Sequence, residues 1–187
     1  MIKNLQELAL FGSTNIGNLI DKNQIKFFLS DLSDIKSKEI RKFGMETLKN
    51  NNNLESVWNL SSLGKKYFDI IGNSRLNKFV DKALNNKAVV HSFNAIINMP
   101  GDKSKMLGFK YHRDSPFFDR VRTSLLVMIP LIKVETINGA TQYIKGSHLF
   151  EKMPCKSILN ESYSEITGNA MGGSFGLHFS ITYRTLD

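Results

Sequence analysis

The sequence predicts an α+β fold, with helices in the first half of the chain and strands in the second. In the first half, apolar residues recur at helical spacing between polar ones. In the second half, runs rich in branched and aromatic residues are separated by turn-forming pairs such as Asn138-Gly139. Helices followed by a run of strands are typical of a β-sandwich or jelly-roll body. We therefore expect one domain over 1–187, with a mainly helical prelude over 1–87 and a jelly-roll body over 88–187.

The size and composition of the chain are those of one globular domain. Its 187 residues are enough for a single core, and 41% of them are hydrophobic. The single cysteine, Cys155, excludes an internal disulfide. No apolar run is long enough to cross a bilayer, and the first residues lack the apolar core of a secretory signal. These features predict a cytoplasmic protein without a membrane partner.

The net charge of +8 is compatible with nucleic acid or an anionic substrate as a partner. The lysines are scattered along the whole chain, however, and no nucleic-acid-reading motif accompanies them. We therefore expect no nucleic-acid partner. A nucleic-acid-binding module stays open as an alternative, which a steep loss of DNA or RNA affinity with added salt would support.

The prelude contains several predicted helices after a loose lead-in. Residues 1–20 carry glycines and asparagines and are expected to form at most a strand or turn. Helical spacing of apolar residues predicts helices from residue 21, over 37–48, in part of 54–71 and over 74–85. Asp21 and Asn23 are the two candidates for the N-cap of the first helix, and Ser74 is the predicted N-cap of the last.

The predicted body is a run of strands. Branched and aromatic residues predict strands over 88–99, 107–114, 123–132 and 140–144. The third of these is mostly apolar, so we expect it to be buried on both faces. Pro130 near its end indicates an edge or a bulge, because proline has no N–H to donate to a neighbouring strand.

The candidate chemistry lies in the second predicted strand, which reads Tyr111-His112-Arg113-Asp114. Alternate side chains of a strand point to the same face, so His112 and Asp114 are able to bind one cation. They would supply two ligands of a two-histidine-one-carboxylate site, which suits Fe(II) because it leaves positions open for substrate and oxygen. The third ligand is then a histidine from elsewhere, and His178 is the candidate. The alternative is a surface ion pair with a nearby arginine.

A second set of motifs follows in the segment Asn138–His148, which reads NGATQYIKGSH. The order of His-x-Asp, NGA, GSH and a late histidine resembles the phytanoyl-CoA dioxygenase family, a branch of the Fe(II)/2-oxoglutarate oxygenases. The resemblance runs from Ala88 to His178 and rests on the combination rather than on any one motif. It implies a double-stranded β-helix of the cupin-like type that uses Fe(II), 2-oxoglutarate and O₂ to hydroxylate a small organic substrate.

The resemblance also implies roles for single residues. The metal is held by three residues: His112, Asp114 and His178. His148, in the GSH turn, is structural and hydrogen-bonds backbone, and it is the runner-up for the third ligand. This chain has Gly172-Gly173 where the family has apolar residues, which weakens the strand expected to carry His178. His91 is interpreted from its own position as a core or sheet-face histidine.

The family binds the distal carboxylate of 2-oxoglutarate with a cation on the strand after the distal histidine. Arg184 is the only arginine after His178, and it is closer than this pattern requires. Either Arg184 substitutes, or the anchor comes from elsewhere, or the chain is a truncated relative that lost its closing strand and exposes an unpaired edge. Tyr111, Thr141 and Tyr143 are further candidates for hydrogen bonds to the co-substrate.

The alternative function is a non-catalytic jelly-roll binding domain without a working 2-oxoglutarate site.

Overall fold

The computed structural model describes residues 1–38, 47–49, 54–85, 88–98, 124–135, 141, 143–149 and 176–185. In this part of the chain, helices α1 to α4 span Ile2–Phe11, Lys22–Lys38, Lys65–Ile71 and Ser74–Leu84. Strands β1 to β5 span Thr47–Lys49, Leu54–Val57, Ala88–Asn98, Ser124–Pro130 and Gly176–Thr185, and two 3₁₀ turns span Leu60–Leu63 and Ser147–Leu149. The predicted α+β class is confirmed. None of these helices has the length and apolar character that crossing a membrane requires.

The described strands form one antiparallel sheet in the order β1-β2-β3-β5-β4. The last strand of the chain, β5, lies inside this sheet, with β3 on one side and β4 on the other. Helices α2, α3 and α4 pack their apolar side chains onto one face of the sheet. The shared core consists of Phe28, Leu32, Val57, Leu60, Tyr67, Ile70, Leu76, Val80, Phe93, Ala95, Ile129, Leu131, Ile181 and Tyr183. Burial of this core is the main force that holds helices and sheet together.

The N-terminal residues form a helix where the sequence predicts a loose lead-in. The segment Ile2–Phe11 contains no glycine or proline, so nothing interrupts the helical hydrogen bonds. Gly12 ends the helix in the left-handed conformation, at φ 80°, and its N–H donates to the Leu8 carbonyl at 2.9 Å. Glycine is favoured at this position because it has no Cβ to clash. The glycine that suggested irregular structure is therefore a helix C-cap.

Helix α2 begins where the sequence predicts, and its N-cap is Asp21. The Asp21 Oδ1 accepts the N–H groups of Asn23 and Gln24 at 2.7 and 2.8 Å. In return, Gln24 Oε1 accepts the N–H of Asp21 at 2.9 Å. This reciprocal arrangement is a capping box, and it satisfies N–H groups that have no partner within the helix.

Two predicted helical segments are partly strand. The helix predicted over 37–48 is wrong at its C-terminal end, because Thr47–Lys49 is β1 and pairs with β2; residues 39–46 lie outside the described part. The segment 54–71 begins with β2 and is helical only from Leu60 onward, in agreement with the prediction that part of it is helical. Backbone pairing with a neighbouring strand outweighs the local helical spacing in both places.

The helix predicted over 74–85 is α4. Three residues of the predicted apolar face, which consists of Leu76, Phe79, Val80, Ala83 and Leu84, are buried: Leu76, Phe79 and Val80. The N-cap is Asn73 rather than Ser74, since the Asn73 side chain accepts the N–H groups of Arg75 and Leu76 at 3.0 and 3.1 Å. Asparagine caps helices as well as serine does, so the sequence pattern places this cap one residue late.

Strands β3 and β4 confirm the predictions over 88–99 and 123–132. The prediction that β4 is buried on both faces is wrong, because Ile129 is buried whereas Leu126 is 44% exposed. Within the described sheet β4 is an edge strand that pairs only with β5, and Pro130 ends it. The proline therefore marks an edge, which is one of its two predicted meanings.

The strand predicted over 140–144 is wrong in the residues that the structure describes. Ile144 lies in a turn, where its carbonyl accepts the Ser147 N–H at 3.0 Å. Gly146 has φ 77° in this turn, a left-handed value that glycine adopts without strain. The strand predicted over 107–114 lies outside the described residues.

Two buried tyrosines differ in the hydrogen bonding of their hydroxyl groups. Tyr67 Oη donates to Asp31 Oδ2 at 2.7 Å. The Tyr183 hydroxyl is buried, and no group in the described part of the chain hydrogen-bonds to it. Burial raises the pKa of Tyr183 to about 12. Burial raises the pKa of Tyr67 as well, and the bond to Asp31 raises it further.

We expect Tyr67→Phe to lower the free energy of unfolding by about 1–3 kcal/mol, because it removes a hydrogen bond to a carboxylate. Tyr183→Phe is the matched control and is expected to leave stability unchanged or raise it by up to about 1 kcal/mol. Because the folded-state pKa of Tyr67 is raised, its contribution is fully present below pH 10.0, the usual pKa, and is lost at higher pH. Urea denaturation at neutral pH and above pH 10 measures both effects. Equal costs for the two variants would contradict the structural assignment.

Candidate active site

Strand β5 presents two different faces. Ile181 and Tyr183 are buried against the helices, at 0% and 3% exposure. Because successive residues of a strand point to opposite faces, positions 178, 180, 182 and 184 belong to the other face. The pairing agrees, since the core residue Phe93 lies opposite Ile181 while Ser92 lies opposite Thr182. We call the face that carries these even-numbered positions of β5 the polar face.

His178, the predicted third metal ligand, occupies a position of the polar face. It pairs with Ile96 of β3 and Pro130 of β4. Its predicted partners, His112 and Asp114, lie outside the described residues. Within the described part, no three His, Cys, Asp or Glu residues come together as a metal site. The metal site formed by His112, Asp114 and His178 therefore stays a prediction. Of these three residues, the described sheet contains the backbone of His178.

Arg184, the candidate anchor for a carboxylate, belongs to the same strand and the same face as His178. Six residue steps separate the two, which is about 20 Å along an extended strand. The side chain is half-buried, and its Nε and Nη2 atoms are buried. Val89 and Ser124 lie opposite Arg184 on the two neighbouring strands. The strand with the candidate anchor is thus paired on both sides and is not an exposed edge.

Polar residues occupy the positions between His178 and Arg184. Thr182 lies opposite Ser92, and Ser180 lies opposite Asn94, which is 8% exposed. Hydroxyl groups are able to donate hydrogen bonds to a carboxylate, so Thr182 and Ser92 are candidate binding residues. Neither residue belongs to a motif that marks it in the sequence as a binding residue. Thr182 is predictable from the sequence, because it lies four residues after His178 and therefore on the same face of the strand. Ser92 is identified only by the pairing of β3 with β5.

His91 lies at a β-bulge in β3, next to the position of Arg184. The pairing skips His91, since Val90 lies opposite Tyr183 and the next pair joins residues 92 and 182. The side chain is exposed, so of the two predicted environments the sheet face applies and the core does not. Desolvation lowers the pKa of His91, and the positive charge of Arg184 lowers it further. The sequence did not indicate that His91 lies near Arg184.

The GSH segment holds the N-terminal helix. His148 Nε2 lies 3.0 Å from the Ala9 carbonyl oxygen, and the Gly146 N–H donates to the Phe11 carbonyl at 3.0 Å. Both acceptors are in the last turn of α1, whose carbonyl groups lack partners within the helix. Gly12 lies against the imidazole, so that a Cβ there would be 2.5 Å from His148 Nδ1. These contacts give His148 the structural role predicted for it.

The structure gives little information on the other residues predicted to hydrogen-bond the co-substrate. Thr141 and Tyr143 are both exposed, and Tyr111 lies outside the described residues. A groove of about 490 Å³ lies elsewhere, between helices α3 and α4 and strands β3 and β5. Its lining includes Val80 and Tyr183, which belong to the helix-covered face. This groove is therefore on the opposite side of the sheet from the polar face and is not the candidate site.

Solved structures with the same fold include a protein from nogalamycin biosynthesis and two proteins from Streptomyces. The non-heme alpha ketoglutarate dependent epimerase SnoN from nogalamycin biosynthesis has a TM-score of 0.68 at 10% identity, over 98% of this chain and 82% of its own. HygX from Streptomyces hygroscopicus, solved with nickel, 2-oxoglutarate and hygromycin B, has a TM-score of 0.70 at 12% identity, over 100% and 88%. AviO1 from Streptomyces viridochromogenes Tue57 has a TM-score of 0.67 at 13% identity, over 99% and 95%. No curated protein matches the chain.

The chain shares its fold with SnoN and HygX. The sequence itself matches the family model of phytanoyl-CoA dioxygenase over residues 10–170. The chain belongs to the phytanoyl-CoA dioxygenase family, a family of non-haem Fe(II)- and 2-oxoglutarate-dependent dioxygenases. The match ends before β5, so it covers neither His178 nor Arg184. For these two residues the evidence is their placement in the sheet.

Proposed function

We propose that this protein is an Fe(II)- and 2-oxoglutarate-dependent dioxygenase that hydroxylates a small organic substrate. The observation that carries the proposal is the arrangement of β5, on which the candidate ligand His178 and the cation Arg184 share one face of a doubly paired strand. The family match over 10–170 supports it independently. We also infer a double-stranded β-helix as the body, a single domain over 1–187, and a location in the cytoplasm.

Three residues hold the metal in this proposal: His112, Asp114 and His178. Two imidazoles and one carboxylate form a donor set that Fe(II) accepts, and they leave coordination positions open. The described part of the site fits this chemistry in two respects. Position 178 lies in a strand with a neighbour on each side, which keeps a ligand in place. Arg184 offers a planar guanidinium with two buried nitrogens, which suits a carboxylate.

Bound iron would supply the oxidation, using O₂ and the decarboxylation of 2-oxoglutarate to succinate. The residues of the chain provide binding and orientation. Arg184 neutralises the distal carboxylate of 2-oxoglutarate and thereby fixes the direction in which the co-substrate lies along β5. The hydroxyl groups of Thr182 and Ser92 donate to the same carboxylate. Tyr111 and Thr141 are proposed to add hydrogen bonds to the co-substrate from the segments that precede β5.

The distance between positions 178 and 184 along β5 is long for 2-oxoglutarate to bridge. About 20 Å separates the two positions, which is longer than a five-carbon dicarboxylate. The metal-binding side chain and the arginine side chain must cover the rest of this distance. Arg184 must therefore lean back along the strand toward Thr182, as strand side chains are able to do.

The same spacing favours a second candidate function. If the arginine does not reach, the protein is a non-catalytic relative that binds metal without a working 2-oxoglutarate site.

Anaerobic titration with Fe(II) and then 2-oxoglutarate, followed by visible absorbance, separates the two functions. We expect a weak charge-transfer band that appears only when both are present, because the band requires the co-substrate to chelate the iron. Glutarate is the matched control ligand, since it lacks the keto group and cannot chelate. Iron binding without any change on addition of 2-oxoglutarate would replace the oxygenase with the non-catalytic relative.

Whether the substrate is hydroxylated requires a separate measurement. SnoN is an epimerase, so hydroxylation is one of several reactions that this fold carries out. Once a substrate is found, turnover under ¹⁸O₂ is expected to place one labelled oxygen atom in the product and one in succinate. A product without label would show that the chain oxidises its substrate without hydroxylating it.

A further inference from the structure

The groove between helices α3 and α4 and strands β3 and β5 lies outside the site proposed for the oxygenase. Its volume of about 490 Å³ falls in the range of small-molecule sites, about 300–1,000 Å³. It lies on the helix-covered side of the sheet, whereas positions 178 and 184 belong to the polar face. A ligand in this groove would therefore not occupy the place proposed for 2-oxoglutarate.

Most residues that line the groove are apolar. Ile71, Val80, Ala88 and Val90 contribute aliphatic side chains. Tyr183 lies opposite Val90 in the sheet and lines the groove as well, but its hydroxyl is buried and is not part of the surface that faces the groove. Val90 is 36% exposed, so the rest of the chain leaves part of this apolar surface open. A ligand with an apolar body would be stabilised by removing that surface from water.

The two polar residues of the lining, Asn77 and Asp81, come from helix α4. Residues four apart are neighbours on a helix face, so these two side chains belong to the same wall of the groove. The Asp81 side chain is exposed, and no described residue forms a hydrogen bond or an ion pair with its carboxylate. Lys78 and Lys82 flank Asp81 in the sequence, but neither lines the groove. The charge in the described lining is therefore negative.

The open carboxylate of Asp81 differs from others on the described helices. Asp31 accepts a hydrogen bond from Tyr67 at 2.7 Å, and Asp69 pairs with Lys65 at 2.6 Å. The net charge of +8 does not cancel the attraction of Asp81 for a cation in the groove, because at 0.1 M salt charges more than about 10 Å away are largely screened. An apolar groove with one open carboxylate on its wall is complementary to a cation that has an apolar body.

We propose that this groove is a binding site for a small organic cation of the aliphatic amine class. The apolar body of the ligand packs on Val80, Val90 and Tyr183, and its charged end pairs with Asp81. The Asn77 side-chain oxygen is a further acceptor for an ammonium N–H. Because Asp81 is exposed, the charge pair favours the cation over a neutral ligand of the same shape by up to about fivefold, and burial of the apolar body supplies the rest of the affinity. The site does not depend on iron or on the proposed function.

Three probes with the same six-carbon body and different heads test the proposal: hexylamine, hexanol and hexanoate. Each is titrated at pH 7 into the ¹⁵N-labelled full chain, and the backbone amide shifts of Val80, Ala88 and Val90 are followed by NMR. We expect hexylamine, which is protonated at this pH, to bind up to about fivefold more tightly than hexanol, and hexanoate to bind most weakly. Equal affinities for hexylamine and hexanol would overturn the proposal, as would the absence of shifts at these three amides.

Two variants and a matched control locate the binding site. Asp81→Asn is expected to remove the preference for hexylamine and to leave the affinity for hexanol unchanged. In the control Asp69→Asn, whose carboxylate pairs with Lys65 and does not line the groove, the preference is expected to persist. Val90→Phe fills the open part of the groove and is expected to abolish binding of all three probes, with circular dichroism to check that the variant is folded. A preference that survives Asp81→Asn, or that Asp69→Asn removes equally, would overturn the assignment, and so would full hexylamine binding in folded Val90→Phe.

Discussion

Replacing His112 by alanine is expected to lower the iron-dependent formation of succinate from 2-oxoglutarate by more than about a hundredfold. Partners that merely orient a metal ligand are worth about 10–100-fold in affinity or activity, so loss of a ligand itself costs more. Its motif partner Asp114 is expected to behave in the same way. The measurement is succinate formed per iron added, together with the amount of Fe(II) that the variant retains after gel filtration.

His148→Ala is the matched control for this prediction. The two histidines differ in the role assigned to them, because His148 contacts the Ala9 carbonyl at the end of α1. We therefore expect His148→Ala to keep iron and turnover at a temperature where it is folded. Undiminished succinate formation in His112→Ala would sink the assignment of the His-x-Asp motif. Loss of iron in His148→Ala alone would instead make the runner-up histidine the ligand.

Gly12→Ala is expected to lower the free energy of unfolding by about 2–5 kcal/mol. Part of the cost is the left-handed conformation, φ 80°, which is worth about 1–2 kcal/mol for a residue with a Cβ. The rest is overpacking of about 1–3 kcal/mol, because the new Cβ would lie 2.5 Å from His148 Nδ1. Urea denaturation followed by circular dichroism measures the change at neutral pH.

Gly72→Ala is the control for the general effect of adding a methyl group. Gly72 has φ −80°, and a Cβ there would meet the Phe68 carbonyl oxygen at an ordinary 3.5 Å, so we expect a change below about 1 kcal/mol. The double variant Gly12→Ala with His148→Ala should recover the overpacking part, which a double-mutant cycle isolates. A Gly12→Ala cost no larger than that of Gly72→Ala would mean that α1 does not dock against the GSH turn in solution.

The features that the sequence determined by itself are local or periodic. Asp21 and Gln24 are neighbours whose side chains close a capping box with nothing from the rest of the chain, so the start of α2 follows from a few consecutive residues. The apolar stripe of α4 and the branched residues of β3 are likewise patterns of one segment. The order of short motifs identified the family for the same reason, since each motif is read along the chain without knowledge of its partners.

The tertiary structure alone decided which distant residues meet. His148 and Ala9 are 139 positions apart, and nothing in either segment indicates their contact. Strand β1 exists because β2 pairs with it, although its own spacing favours a helix. The neighbourhood of His91 and Arg184 depends on one extra residue in the register of β3 against β5. A shift of one residue in register reverses the faces of a strand, so contacts of this kind are set by pairing and packing and cannot be read from any single segment.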